Sequence, residues 1–146
     1  MGLAGLIRQH TALLELSRVI REHIVKQPGV SSPDWLHGLR EAVKRLKSHL
    51  AMNYDVKGSG GYLAHVLEVR PTLSKQVERI RHEHSEILRM IDWIDNELNQ
   101  ITPEDRLLIG DACARVQRFM AVVAQHDQRE AMLTMLVFNQ DIGGID

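Results

Sequence analysis

Aromatic residues are scarce in this chain: two each of Phe, Tyr and Trp make up 4% of its 146 residues. With so few large rings and a plentiful supply of Leu, Ile, Val, Ala and Met, the mix suits packed helices better than sheet. There is one cysteine, Cys113, which excludes an internal disulfide and fits a reducing compartment. Excess charge is also absent: 18 basic against 19 acidic residues give a net charge of -1, so nothing electrostatic calls for nucleic acid or a membrane surface. No apolar run approaches the roughly 20 residues that span a bilayer. The opening Met1-Gly2-Leu3-Ala4-Gly5-Leu6-Ile7 is cut short by Arg8 and does not read as a signal peptide. These absences predict a soluble, cytoplasmic, single domain over 1–146 with no nucleic-acid or membrane partner. What the chain does have is histidine, eight in all.

Glycines and prolines divide the sequence into four helical runs. The first, Leu3 to about Lys26, sets Leu3, Leu6, Ile7, His10, Leu13, Ile20 and Ile24 on one stripe. Gln27-Pro28-Gly29 breaks it, and Ser32-Pro33 opens the next run as N-cap and first helical residue. That second run, to about Tyr54, carries Leu36, Leu39, Val43, Leu46, His49 and Asn53 on its inner face and stops before Lys57-Gly58-Ser59-Gly60-Gly61. A short helical stretch from Tyr62 to Val69 leads to Pro71. The third run, to about Asn99, places Leu73, Val77, Ile80, His84, Ile87, Ile91, Ile94 and Leu98 at helical spacing. Thr102 then caps a fourth run, from about Glu104 to Phe138, with acidic residues in its first turn. Four amphipathic helices joined by short links predict an all-α, antiparallel, up-and-down four-helix bundle.

In the fourth run His126 and Glu130, four residues apart, project from one helical face, where they can grip one metal ion or span two. Their stripe also carries Phe119, Val122, Val123, Leu133 and Val137, so the pair points inward. His10 lies 20 residues before the first turn, centred near residue 30, and His49 lies 19 after it. At about 1.5 Å per residue those heights match. The midpoint of His84 and His126 is residue 105, beside Thr102-Pro103, and that of His49 and His84 falls in the connection before Pro71. Four histidines, one per helix, therefore share a level, each in place of a hydrophobe on an inner stripe. A lone histidine on an apolar face is more often a hydrogen-bonded core residue than a ligand. Four unpartnered imidazoles buried together would be costly, whereas a metal satisfies them at once. His82, His37, His23 and His65 fall on polar faces, a stripe edge or the connection and are set aside.

His10 in the first helix, His49 late in the second, Glu83-His84 in the third and His126-x-x-x-Glu130 in the fourth resemble the hemerythrin-like, HHE cation-binding family over about residues 3 to 140. Gly60-Gly61-Tyr62-Leu63, followed by Pro71, is similar to the bacterial branch of that family. The resemblance implies a non-heme di-iron centre with an open position for dioxygen, nitric oxide or peroxide, or a role in iron handling. It also implies His10, His49, His84, His126 and Glu130 as ligands. No general acid, general base or substrate pocket for catalytic turnover is legible.

Family members repeat His-x-x-x-Glu in the second helix; here the stretch reads His49-Leu50-Ala51-Met52-Asn53. Asn53 is neutral and a poorer ligand than a carboxylate, which leaves the number of irons, two or one, open. Asp55 lies about 200 degrees round a regular helix from Asn53 and replaces it only if the helix unwinds. Two other readings stay in view. A helical interaction module with a lapsed metal site is the first. The second comes from Lys57-Gly58-Ser59-Gly60-Gly61-Tyr62-Leu63, which resembles the loop of histidine phosphotransfer bundles, although Tyr54 stands where that motif has its phosphorylated histidine.

Overall fold

In the computed structural model the backbone is described for residues 3–58 and 61–143, and the side chains for residue 5, for 7–55 and for 61–137. Five α-helices account for most of it: α1 Leu3–Val25, α2 Pro33–Gly58, α3 Tyr62–Val69, α4 Ser74–Gln100 and α5 Arg106–Gly143, with a single 3-10 turn at Pro71–Leu73. No strand occurs among the described residues. Helices α1 and α2, α2 and α4, α4 and α5, and α5 and α1 pack on one another, while short α3 lies against α2 and the start of α4.

The apolar stripes explain this packing. On α4, Val77, Ile80, Ile87, Ile91, Ile94 and Leu98 are all buried, as their spacing predicts. On α2, Leu36, Leu39, Val43 and Leu46 are almost wholly covered. Each such side chain withdrawn from water contributes about 1.5–3 kcal/mol against chain entropy. The start of α1 departs from its predicted stripe. Leu3 and Leu6 lie outside the described side chains, and Ile7 is 56% exposed. This end of the helix borders a cavity, and among the described side chains burial begins at Leu13, with Ile20 and Ile24 beyond it.

Helix ends differ from expectation in instructive places. Ser32 caps α2 as predicted, its Oγ accepting from the Trp35 amide at 3.2 Å. Helix α2 runs on to Gly58, four residues past the expected stop, and most of the glycine-rich segment that follows lies outside the described residues. Asp105, not Thr102, caps α5: its Oδ1 accepts from the Leu108 amide, and the helix begins at Arg106. At the far end of α4, the Arg40 guanidinium donates to the carbonyls of Leu98 at 2.7 Å and Ile101 at 2.5 Å, satisfying acceptors that the helix leaves open.

His23, read from sequence as a stripe-edge residue, has a structural task. Its Nε2–H donates to the Trp35 carbonyl at 2.7 Å, the Trp35 indole N–H donates to the His23 carbonyl at 2.9 Å, and the rings stack 5.2 Å apart. Gly38 makes room, since a Cβ there would come within 2.7 Å of the His23 ring. These contacts tie α1 to α2 beside their link.

The buried apolar residues fall into two clusters. The larger spans α1, α2, α4 and α5 from Leu13 and Leu36 to Ile87 and Val123. The smaller joins Tyr62, Leu63 and Val66 of α3 to Leu73, Val77, Ile80, Leu133 and Val137. Along α4 the change from one to the other falls between Ile80 and Ile87, and along α5 between Val123 and Leu133. Both intervals hold buried polar residues: His84 in the first, His126 and Glu130 in the second.

Candidate metal centre

Each of these three residues sits at an inner position of its helix, one or two turns from apolar residues that are fully covered. His84 and His126 lie equally far from residue 105, in the link between α4 and α5, and their rings meet with centroids 4.7 Å apart and planes at 71°. Glu130, one turn after His126, places Oε1 at 2.6 Å from His126 Nε2 and 2.5 Å from His84 Nε2. Among the described residues these are the His, Cys, Asp or Glu side chains whose ligand atoms gather within 4.8 Å of one another, and all three are buried. A carboxylate isolated in such a place would cost several kcal/mol; here two imidazoles face it. The donor set suits a borderline divalent transition metal, and its residues fit such an ion.

A second layer orients the first. His126 Nδ1–H donates to Glu83 Oε1 at 3.3 Å, leaving Nε2 for the centre. Glu83 in turn accepts from Arg129 Nε at 3.0 Å and from the Arg129 Nη2. Burial works against the Glu83 charge, but the hydrogen bonds from Arg129 and His126 outweigh it and hold the carboxyl below its ordinary value. Glu83 thus brings one negative charge that Arg129 already offsets. Tyr62 of α3 braces the opposite end, its hydroxyl bonded to Thr134 and 3.4 Å from the Glu130 carbonyl. Burial, eased by the Thr134 hydrogen bond and reinforced by the Glu130 charge, pushes that phenol to about 12.

Tyr54 closes the layer on the α2 side. Its ring stacks on His84 at 4.0 Å and meets His126 edge-on at 5.5 Å. Its hydroxyl is buried and meets no hydrogen-bond partner among the described residues. Burial first, then the charges of Glu130, Asp127 and Glu83, raises its pKa far above the ordinary value, so it remains a neutral hydroxyl.

The remaining sequence candidates are placed differently. His49 is half-buried on α2, one turn before Asn53, which is only 5% exposed. His10 departs from its expected inner position: its side chain is 48% exposed, and Nδ1 pairs with Asp127 Oδ2. The cause is the cavity at the start of α1, which His10, Asn53, Asp127 and Glu130 line together. Asp55 is exposed on an unbroken α2 and lines a cleft with Arg81 and Ser85, so the unwinding that would bring it to Asn53's side does not occur. His37, His65 and His82 are exposed.

Sequence reading missed Asp127, Arg129, Tyr54 and the orienting role of Glu83. Glu83 carried a signal, its adjacency to His84. Asp127 carried a weaker one, its i,i+3 spacing to Glu130.

A chain whose described residues fold as helices, with a buried His-His-carboxylate cluster between two apolar clusters, has the make-up of a metal-binding helical domain. The chain belongs to the hemerythrin HHE cation-binding domain family, whose description, "Hemerythrin HHE cation binding domain", matches residues 1–136. No curated protein and no solved structure matches it.

Proposed function

We propose that this protein binds non-heme iron, two ions per chain, in the polar layer between its two apolar clusters, and that it binds or senses dioxygen, nitric oxide or peroxide there, or handles iron. The observation that carries the reading is the meeting of His84, His126 and Glu130 at one buried point, with Glu83 and Arg129 fixing His126 from behind. His10 and His49 complete the proposed ligand set from α1 and α2. The matching chain heights of the four histidines support this arrangement. So does the ring of packed pairs α1–α2, α2–α4, α4–α5 and α5–α1, which is what an antiparallel, up-and-down four-helix bundle of one domain requires, with α3 as an addition at one end.

Iron bound here would supply an open coordination position for a small molecule. The chain's own residues orient the His126 imidazole through Glu83, set the Glu130 carboxylate between the His84 and His126 rings, and cover His84 with the stacked ring of Tyr54. A cytoplasmic setting accords with the lone buried Cys113, whose thiol pKa is raised by burial, and no helix among the described residues is long and apolar enough to cross a membrane. The test is iron per chain with a visible absorption spectrum on protein made in iron-rich medium. About two irons with a visible band is the expected result; a colourless chain without iron refutes it.

Asn53 favours a second reading, a helical interaction module whose metal site has lapsed, and the same measurement separates the two. Tyr54, at the position a phosphotransfer bundle reserves for its histidine, is buried against His84, which argues against that reading.

A further inference from the structure

Asn53 removes the acid that the second helix would bring to a pair of metal ions. Glu83 does not replace it, since Arg129 neutralises it and it faces the back of His126. Asp55 is exposed elsewhere. Glu130 alone would then face two divalent cations in a low-dielectric interior, an imbalance the fold has to correct.

The cavity between α1, α2 and α5 holds the correction. It measures about 240 Å³. A water molecule's share of liquid is about 30 Å³, so an ion with several waters fits. Its polar lining is Gln9, His10, Asn53, Asp127, Glu130 and Thr134. Asn53 lines it, and its Oδ1 is buried and meets no hydrogen-bond donor among the described residues. An amide oxygen left so costs about 1–3 kcal/mol unless something in the cavity satisfies it, and a cation does so directly. Asp127 lies three residues before Glu130 on α5, a spacing that puts both carboxylates on neighbouring faces of the helix. Its side chain is 20% exposed and holds His10 Nδ1.

We propose that Asp127 supplies the second carboxylate of the metal centre, and that the second ion occupies the cavity it shares with His10, Asn53 and Glu130. The inference rests on the metal-binding reading above. The ion nearer His84 and His126 is held by a compact buried set; the ion in the cavity is held by donors spread round a larger space and partly open to water, with Asn53 Oδ1 as a neutral ligand. Asp127 also explains why Asn53 is tolerated: the acid has moved from α2 to α5.

The experiment loads metal-free protein with iron(II) under anaerobic conditions and measures iron per chain after desalting, for wild type, Asp127→Asn, Asp127→Glu and Asp127→Asn/Asn53→Glu. Circular dichroism and metal-free melting accompany each variant. The expected result is two irons in wild type, one in Asp127→Asn, two in Asp127→Glu, and recovery of the second ion in the double variant, where the acid returns to α2. Should Asp127→Asn keep the wild-type iron count, the inference falls while the metal-binding reading stands. The same holds if metal-free melting alone changes, because the His10 contact is then only a link between α1 and α5. A wild type that takes up no iron overturns both.

Discussion

The two halves of the centre are built to different standards. On the α4–α5 side, His84, His126 and Glu130 are buried, touch one another and have a second layer, Glu83 and Arg129, to hold them. On the α1–α2 side, His10 is half-exposed and pairs with Asp127 of α5, position 53 is a neutral amide, and the polar groups are spread round a cavity. The difference follows from packing. Helices α4 and α5 have continuous apolar stripes above and below the polar layer, so their side chains are fixed before any metal arrives. Among the described side chains of helix α1 none before Leu13 is buried. On the proposed metal-binding reading, the compact half would hold an ion tightly, and the open half would exchange it and leave room for a small ligand.

The largest effect expected of breaking this contrast comes from the compact half. Glu130→Gln keeps the shape of the side chain but removes its charge, and loses at least one iron per chain. His84→Ala lowers iron content and melting temperature together, because metal bound only to the folded state adds to folding free energy, about 4 kcal/mol at a thousandfold excess over Kd. His82→Ala, exposed beside Glu86, changes neither. Elemental analysis with thermal melting decides; equal losses from His84→Ala and His82→Ala refute the placement.

The second layer comes next. Glu83→Gln releases His126 Nδ1 and Arg129, and iron affinity falls by roughly 10- to 100-fold without a change in iron number at saturation, read by chelator competition. The same residue gives the metal-free protein a pH signature. Its folded pKa is lowered, so its pairing contributes stability above the ordinary value of 4.5 and loses it as pH falls through the lower folded value. Melting curves below pH 4.5 therefore fall less steeply for Glu83→Gln than for wild type. Parallel curves would show that the Arg129 pair is too solvated to matter.

Tyr54 tests whether the boundary between the halves is tuned for stability. Its buried hydroxyl has no partner among the described residues. Tyr54→Phe removes that unsatisfied group while keeping the ring stacked on His84, and stabilises the metal-free protein by about 1 kcal/mol in urea unfolding. Destabilisation would mean that ordered water in the neighbouring cleft satisfies the hydroxyl.

Much of this was legible beforehand, and unevenly so. The stripe on α4 could be read residue by residue because 3.6-residue periodicity needs no knowledge of neighbours. Counting residues from the turn near Pro103 sufficed to bring His84 to His126, since straight helices convert residue number into height. The stripe on α1 put His10 on an inner face by the same periodicity, but its side chain is 48% exposed. Whether the end of a helix is covered depends on what its neighbours bring, and here they leave a cavity. Asp127 was passed over for a related reason: one residue from His126 is 100 degrees of rotation, which reads as a polar face until α1 is laid beside it. Thr102 and Asp105 show the limit of capping rules, since both are good caps and only the turn between them decides.

The smallest effect expected concerns Asn53 in an otherwise unchanged chain. Asn53→Glu creates a second His-x-x-x-Glu pair, with His49 one turn before it, and adds a carboxylate on the α2 side. With Asp127 already balancing the second ion, the new carboxylate finds its role taken. Iron per chain should stay at two, and the gain should appear only in how long the cavity ion is kept. Loss to a chelator slows by roughly tenfold, which corresponds to about 1.4 kcal/mol. The ion held by His84 and His126 should leave at its wild-type rate, because Asn53 lies on the cavity side and contributes nothing to the compact half. Two-phase chelator kinetics on wild type and Asn53→Glu resolve the halves separately. If the variant instead raises iron from one to two per chain, the wild-type cavity lacks an effective acid, and Asp127 is a partner of His10 alone.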